Sequence, residues 1–257
     1  MLISWHESVG STNDVASALA SEGRCSPFVV AARQQTGGRG RGGRRWVSPI
    51  GGAWLSLAWL PPAGWGGWSL APLAVGLAVN RVVSDLLAEP LRDRVEIKWP
   101  NDVLVGGRKV GGVLCERPWA GREGHDWLIA GVGVNVSLRS ASLGEGLRVP
   151  AVSLAELLDD VPEVDDVVER VVYRMLSLLR LVGSEPGRAS VLSEVRGVLA
   201  WRGERVRLVQ GGKAVQGCVV GLDPDGGLVL RDDTGAERVV CAGDVERLSL
   251  ESETLAV

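Results

Sequence analysis

The chain has 257 residues, 28 of them Lys or Arg and 31 Asp or Glu, giving a formal net charge of −3. That length suits one large domain, or a domain with a small appendage, and excludes a lone mini-domain. The faintly acidic balance supplies no general field for nucleic acid, so any basic function must be local.

Four well-separated cysteines, Cys25, Cys115, Cys218 and Cys241, and two histidines, His6 and His125, suggest neither a disulfide framework nor a zinc site. Small buried thiols in a reducing compartment are expected instead. Met1 to His6 carries no basic segment and no long apolar run, so no secretory signal is visible and the expected location is cytoplasmic.

Ile3 to Trp5 reads as a short strand. The hydroxyl and amide residues of Ser8 to Asp14 then suit the N-cap of a helix reaching about Ser21, with Val15, Ala18 and Leu19 at helical spacing. Phe28 to Ala32 and Gly52 to Trp59 are strand-type runs. Between them, Gly37 to Arg45 contains only glycine and arginine, five of one and four of the other, and runs into Trp46. Glycine permits left-handed angles and close approach to a ligand, while guanidinium forks suit phosphate or carboxylate, so this loop can order around an anion. No Gly-Lys-Ser/Thr follows, which excludes a Walker loop. The segment is also too short and too isolated for a repetitive RGG region.

No charge occurs from Trp46 to Asn80. Pro61, Pro62 and the Gly64 to Trp68 cluster interrupt this stretch, and its apolar run is well short of the ~20 residues of a membrane span. The expected order is strand, loop and buried helix, the helix covering Ser69 to Ala88. Strands follow at Val95 to Trp99, Val103 to Val105, Val110 to Cys115 and Trp127 to Val134. Helices are expected at Leu154 to Leu158, Val164 to Val182 and Pro186 to Leu199, completing an α+β core. From about Arg202 the texture changes to short strands: Arg205 to Val209, Ala214 to Gly221, Leu228 to Leu230 and Glu237 to Cys241. With the turn signal Asp223 to Gly227, these predict a small β-barrel beyond a boundary at Ala200 to Gly203.

Lysine is scarce: only Lys98, Lys109 and Lys213 occur. A compact ammonium fits against a reacting carboxylate and phosphate where a planar guanidinium is too broad; two surface lysines of a hairpin are the plain alternative. Lys98-Trp-Pro-Asn-Asp102 sets Asn101 and Asp102 after a proline that holds the backbone extended, though the string is also ordinary turn chemistry. Gly131-Val-Gly-Val-Asn135 lacks the third glycine and the following helix of a dinucleotide fingerprint. Its alternating glycines make either a bed for a flat ligand or a place of close strand packing. Asn135 at the strand's end is placed to meet a polar ligand.

In order along the chain, Ser11-Thr-Asn13, Gln35 to Trp46, Lys98 to Asp102 with Lys109-Val-Gly-Gly112, and Gly131 to Asn135 together resemble the biotin protein ligases. Gly221 to Leu228 extends the resemblance, more weakly, into the C-terminal region. The implied fold is α+β: a mixed β-sheet catalytic core packed with helices over residues 1–201, then a small SH3-like β-barrel over 202–257.

The resemblance implies a two-step reaction with ATP and biotin as substrates and Mg2+ accompanying ATP. Biotin's carboxylate attacks the α-phosphorus to give biotinyl-5′-AMP and pyrophosphate. The ε-amine of a lysine on a biotin carboxyl carrier domain then attacks the mixed anhydride. The family's biotin contacts fall on Ser11, Thr12, Asn13, Gln35, Gly38, Arg39, Gly40, Arg41 and Lys109, with Gly112, Gly131 and Gly133 lining the pocket. ATP and adenylate contacts fall on Arg41, Arg44, Trp46, Asn101, Lys109 and Asn135, with no fixed protein metal site. Lys109, Arg41 and Asp102 are the expected catalytic residues, Lys109 as the central cation and Asp102 handling the acceptor lysine's proton.

These roles have physical sense. Hydroxyl and amide groups serve the ureido ring of biotin, and Arg39, Arg41 and Lys109 offset repulsion between carboxylate and triphosphate. The Gly/Arg loop is expected to be mobile until ligands fold it into a lid. Gly42 and Gly43 stand where the family often has bulkier or basic residues. With no helix-turn-helix segment ahead of Ser11, a ligase without direct repressor function is expected, with no nucleic-acid or membrane partner; a homodimer stays open. The competing readings are a lipoate ligase-like acyltransferase, against which the full Arg39 to Trp46 loop argues, and a non-catalytic nucleotide- or RNA-binding module.

Overall fold

The computed structural model describes residues 2–118, 126–139, 143, 149–210 and 213–248, with backbone alone at Gln210 and Lys213; His125 lies outside the described residues. Seven strands, β1 (Ile3–Val9), β2 (Phe28–Gln35), β3 (Gly52–Trp59), β4 (Val95–Lys98), β5 (Asp102–Val105), β6 (Arg108–Glu116) and β7 (Leu128–Asn135), form one mixed sheet. Their order is β1-β2-β3-β7-β6-β5-β4. Only β1 and β2 run parallel. A parallel pair needs a crossover, which helix α1 (Thr12–Ser21) supplies.

Strands β3 and β7 are buried along their whole length, which explains why Gly52 to Trp59 alternates poorly: a strand covered on both faces has no polar side to display. Helices α2 (Ala71–Leu86), α3 (Val164–Leu181) and α4 (Glu185–Gly197) lie in the main core with Val29, Ala31, Leu55 and Leu57. α1 covers the opposite face, where Ala16 and Ala20 pack with Phe28, Val30, Ala58 and Ile129. Side chains alternate along a strand, so Ser56, Gly131 and Gly133 also belong to the α1 face, as do Gly112 and Leu114 through register pairing. The site is built on this face.

A bulge decides what β6 contributes. The β5/β6 register shifts between Val103 and Leu104. Val110 sits in the main core, and a Cβ on Gly111 would lie 3.4 Å from Val79 of α2, so two consecutive residues face the same side. Lys109 and Gly112 are thereby both delivered to the opposite, α1 face.

The uncharged stretch resolves into β3 and α2; no helix among the described residues is long and apolar enough to cross a membrane. The helix expected at Leu154 to Leu158 is only a 3-10 turn, Leu154–Glu156. The expectation of four buried cysteines is not met: Cys25 and Cys241 are exposed and Cys115 and Cys218 only half-buried, although desolvation of the Cys115 thiol, with a smaller push from Glu116, raises it to about 12.

Five strands, β8 (Arg205–Gln210), β9 (Lys213–Leu222), β10 (Leu228–Arg231), β11 (Glu237–Val240) and β12 (Asp244–Arg247), make an antiparallel sheet ordered β11-β10-β9-β8-β12. Among the described residues β11 and β12 are not paired with each other, so hydrogen bonding does not close the expected barrel. β12 escapes sequence reasoning because Asp244-Val-Glu-Arg247 offers one β-branched residue among charges. Val206, Leu208, Val219, Leu230 and Val245 belong to the same apolar cluster as α2 and α3, so both sheets share a core. Trp99 Nε1 donates to Gly226 O at 2.9 Å across the junction. The linking segment is pinned to edge strand β4, where Ile97 N donates to Val198 O and Ala200 N donates to Ile97 O.

Candidate active site

The first turn of α1 inserts its polar residues into the sheet. Ser11, Thr12 and Asn13 are all buried. Thr12 N and Oγ1 donate to Gln35 Oε1 at 2.8 and 3.1 Å, and Gln35 Nε2 donates to Ser48 Oγ at 2.9 Å. Ser56 Oγ lies 2.7 Å from Thr12 Oγ1 and 2.6 Å from Asn13 Oδ1. Asn13 Nδ2 donates to Glu116 Oε2 at 2.7 Å. A Cβ on Gly131 would sit 2.2 Å from Asn13 Oδ1, so this glycine makes room for the amide. The result is a dense network of neutral hydroxyl and amide groups, anchored at one end on the Glu116 carboxylate, whose geometry is fixed from several sides. Ser48, Ser56 and Glu116, which complete it, belong to no motif in the sequence.

The Gly/Arg loop is folded as a closed turn. Gly40 N donates to Arg44 O at 2.7 Å and Trp46 N to Gly38 O at 2.8 Å. Gly42 and Gly43 take φ of 63° and 75°, left-handed values that glycine adopts without strain. Trp46 turns inward: a Cβ on Gly133 would fall 2.6 Å from its Nε1, and one on Gly112 3.1 Å from its ring. The flat bed left by these glycines is therefore occupied by the protein's own indole, packed edge-on against Trp54 at 6.4 Å.

The arginines diverge. Arg39 forks onto both Glu116 oxygens at 2.8 Å and reaches Asp14 at 2.7 Å, so its charge is engaged by carboxylates. Arg44 pairs with Asp244 at 2.7 Å, and Arg41 donates to Gly243 O at 3.4 Å, both on or beside β12. Burial pushes the Arg41 guanidinium below its usual range, against the pull of Asp244. Gly38 does not line the cavity described below; it packs beneath the loop, where a Cβ would lie 2.4 Å from Trp46 O.

The β4–β5 hairpin carries the cationic side. Its Trp99–Pro100 peptide is cis, and Asn101 N donates to Lys98 O at 3.2 Å, closing a tight turn rather than extending the strand. Asn101 Nδ2 donates to Val113 O at 2.5 Å, which fixes the turn to β6. Lys98 and Asp102 are cross-strand partners. Asp102 Oδ1 lies 2.6 Å from Lys109 Nζ, and its Oδ2 lies 3.8 Å from Lys98 Nζ. Lys109 also stands 4.7 Å over the Trp46 ring and Lys98 5.3 Å over Trp201. Burial lowers the Lys98 pKa and Asp102 opposes that shift. Asn135 Nδ2 donates to Val152 O at 2.9 Å and Lys109 O at 3.3 Å, tying down the backbone that presents Lys109.

These groups surround one cavity of ≈ 410 Å³. Every residue expected from the sequence lines it except Gly38; Lys98, Arg45, Asp244 and Val245 join them, with Leu55, Val113, Val132 and Ala151 completing apolar wall. The neutral network lies over β2, β3 and β7 and the ammonium groups over β4 to β6. This suits a ligand with a neutral hydrogen-bonding head, an apolar middle and an anionic end. No group of three or more His, Cys, Asp or Glu that could hold a metal ion occurs among the described residues.

Residues 5–135 match the family model of the Biotin/lipoate A/B protein ligase family, and residues 203–248 match that of the Biotin protein ligase C terminal domain. A biotin--[acetyl-CoA-carboxylase] ligase of Mycobacterium tuberculosis is 32% identical over 246 residues, covering 93% of this chain and 86% of its own length. Its counterpart in Paracoccus denitrificans is also 32% identical, over 90% of this chain and 95% of its own. Among solved structures, the biotin protein ligase of Aquifex aeolicus in complex with biotin and ATP superposes with a TM-score of 0.80 at 28% identity, over 96% of this chain and 99% of that one.

Proposed function

The chain belongs to the biotin/lipoate A/B protein ligase family, and from that membership we propose that it joins biotin, at the expense of ATP, to a lysine of a biotin carboxyl carrier domain. The observation that carries this reading is a single cavity bringing the Ser11–Thr12–Asn13–Gln35 network together with Arg41, Lys109 and Asp102. Residues 1–201 would form the catalytic domain and 202–257 the C-terminal domain.

Biotin's ureido ring is received by the neutral network and its aliphatic chain passes beside Trp46. Its carboxylate oxygen attacks the α-phosphorus of ATP, and the bond to pyrophosphate breaks. Lys109 and Arg41 stabilise the charge that accumulates there. Arg39, which lines the cavity, is also held by Glu116 and Asp14 and so clasps the loop to β6 beside the biotin carboxylate. Arg44, Asn101 and Asn135 border the nucleotide. In the second step the acceptor nitrogen attacks the biotinyl carbonyl, AMP leaves, and Asp102 takes or orients the ammonium proton. Mg2+ neutralises triphosphate charge when bound.

The test is direct. With ATP, magnesium and labelled biotin the protein should form an acid-labile adenylate, and on adding a carrier domain the label should move to one lysine. Absence of both products would overturn the reading.

A further inference from the structure

Asp102 is shared by two ammonium groups, one on each carboxylate oxygen. Both lysines line the cavity, but Lys109, at 2.6 Å, has the more exposed side chain, 24% against 12% for Lys98, which makes it the cation a substrate anion would recruit. Lys98 is held differently. It is the cross-strand partner of Asp102, its side chain is only 12% exposed, and it rests over the indole of Trp201. Trp201 itself belongs to the segment pinned to β4 beside Ile97. Lys98 is thus fixed within reach of Asp102 whatever Lys109 does.

When Lys109 turns to the reacting carboxylate and phosphate, Asp102 loses its short contact and would stand as a bare carboxylate among arriving anions. We propose that Lys98 is a positioning residue for adenylation: it holds Asp102 neutralised and in place while Lys109 serves the substrate. The inference rests on the biotin-adenylating reading of the cavity. It makes the lysine pair complementary, one ammonium for the substrate and one for the carboxylate that the second step needs.

Because Lys98 acts through Asp102, the two residues must be non-additive. Pyrophosphate release from ATP and biotin is measured for the wild type, Lys98→Met, Lys98→Arg, Asp102→Asn and the Lys98→Met/Asp102→Asn pair, with Lys98→Gln run in parallel as a second neutral variant. Lys98→Met is expected to raise the ATP KM ~10-fold, with the biotin Kd within ~2-fold of wild type, and to cost no more than ~2-fold when added to Asp102→Asn. Lys98→Arg, which keeps the charge and can still stack on Trp201, should recover most of the loss. The same cost in both backgrounds, or no cost beside Asp102, would overturn the role of Lys98. A wild-type protein that releases no pyrophosphate would instead overturn the biotin reading beneath it.

Discussion

Lys109 and Asp102 meet at 2.6 Å because the bulge in the β5/β6 pairing turns the Lys109 side chain to the face that Asp102 already occupies. If Lys109 is the cation at the α-phosphate, Lys109→Ala should lower pyrophosphate release by about 10²–10³-fold. Near-normal release would remove it from the chemistry. Gly131 tests the neutral side. The methyl group of Gly131→Ala would lie where Asn13 Oδ1 now sits, displacing an amide that bonds Glu116 and approaches Ser56. A loss of about 1–3 kcal/mol in biotin affinity is expected by titration calorimetry; an unchanged Kd would show that Asn13 does not shape the pocket. At this scale the sequence was legible where chemistry is concentrated in short strings. It was silent on Glu116, Ser48 and Ser56, whose importance arises only from which strands the fold sets side by side. It placed Gly131 and Gly133 at the pocket but did not say what their missing side chains make room for, which is Asn13 and Trp46.

The Gly/Arg loop shows how an element acquires a role beyond its composition. Its turn is fixed by Gly42 and Gly43 and tied to β12 through Arg44 and Asp244. Glycine-rich backbone is costly to order, so ligand contacts at Arg41 should add to this tie and close the loop over the adenylate. Arg41→Ala is accordingly expected to form adenylate but release it about 10–150-fold faster in a rapid-quench assay, one charge-assisted contact being worth about 1.5–3 kcal/mol. Retention as in the wild type would exclude the lid role. The loop and α2 could be read from glycine and from the uncharged apolar run; α1 falls where expected, but Ser11 makes no side-chain cap bond and Ala16 and Ala20, not Ala18, carry its packing. β12 could not, because its strand character comes from pairing with β8 and not from its own residues.

At the scale of the molecule, the C-terminal sheet packs into the same apolar cluster as the sheet that holds the site. Its Val206, Leu208, Val219 and Leu230 share one apolar cluster with α2 and α3, and Asp244 and Val245 reach the cavity wall. A strand-rich tail of that size reads in sequence as a separate module; the continuity of its core with the first sheet depends on contacts such as Trp99 with Gly226 that no local pattern records. Shared apolar burial makes partial unfolding expensive, since either sheet alone would leave its half of the cluster in water. Calorimetry should therefore give a single unfolding transition for the whole chain, with calorimetric and van't Hoff enthalpies in agreement. Trp99→Phe keeps an aromatic six-membered ring but removes the indole N–H and leaves the buried Gly226 carbonyl without its donor, which should lower stability by about 1–3 kcal/mol and shift that one transition as a unit. Two separate transitions, with the substitution moving only one, would show instead that the sheets fold independently and that the C-terminal wall of the cavity is merely docked.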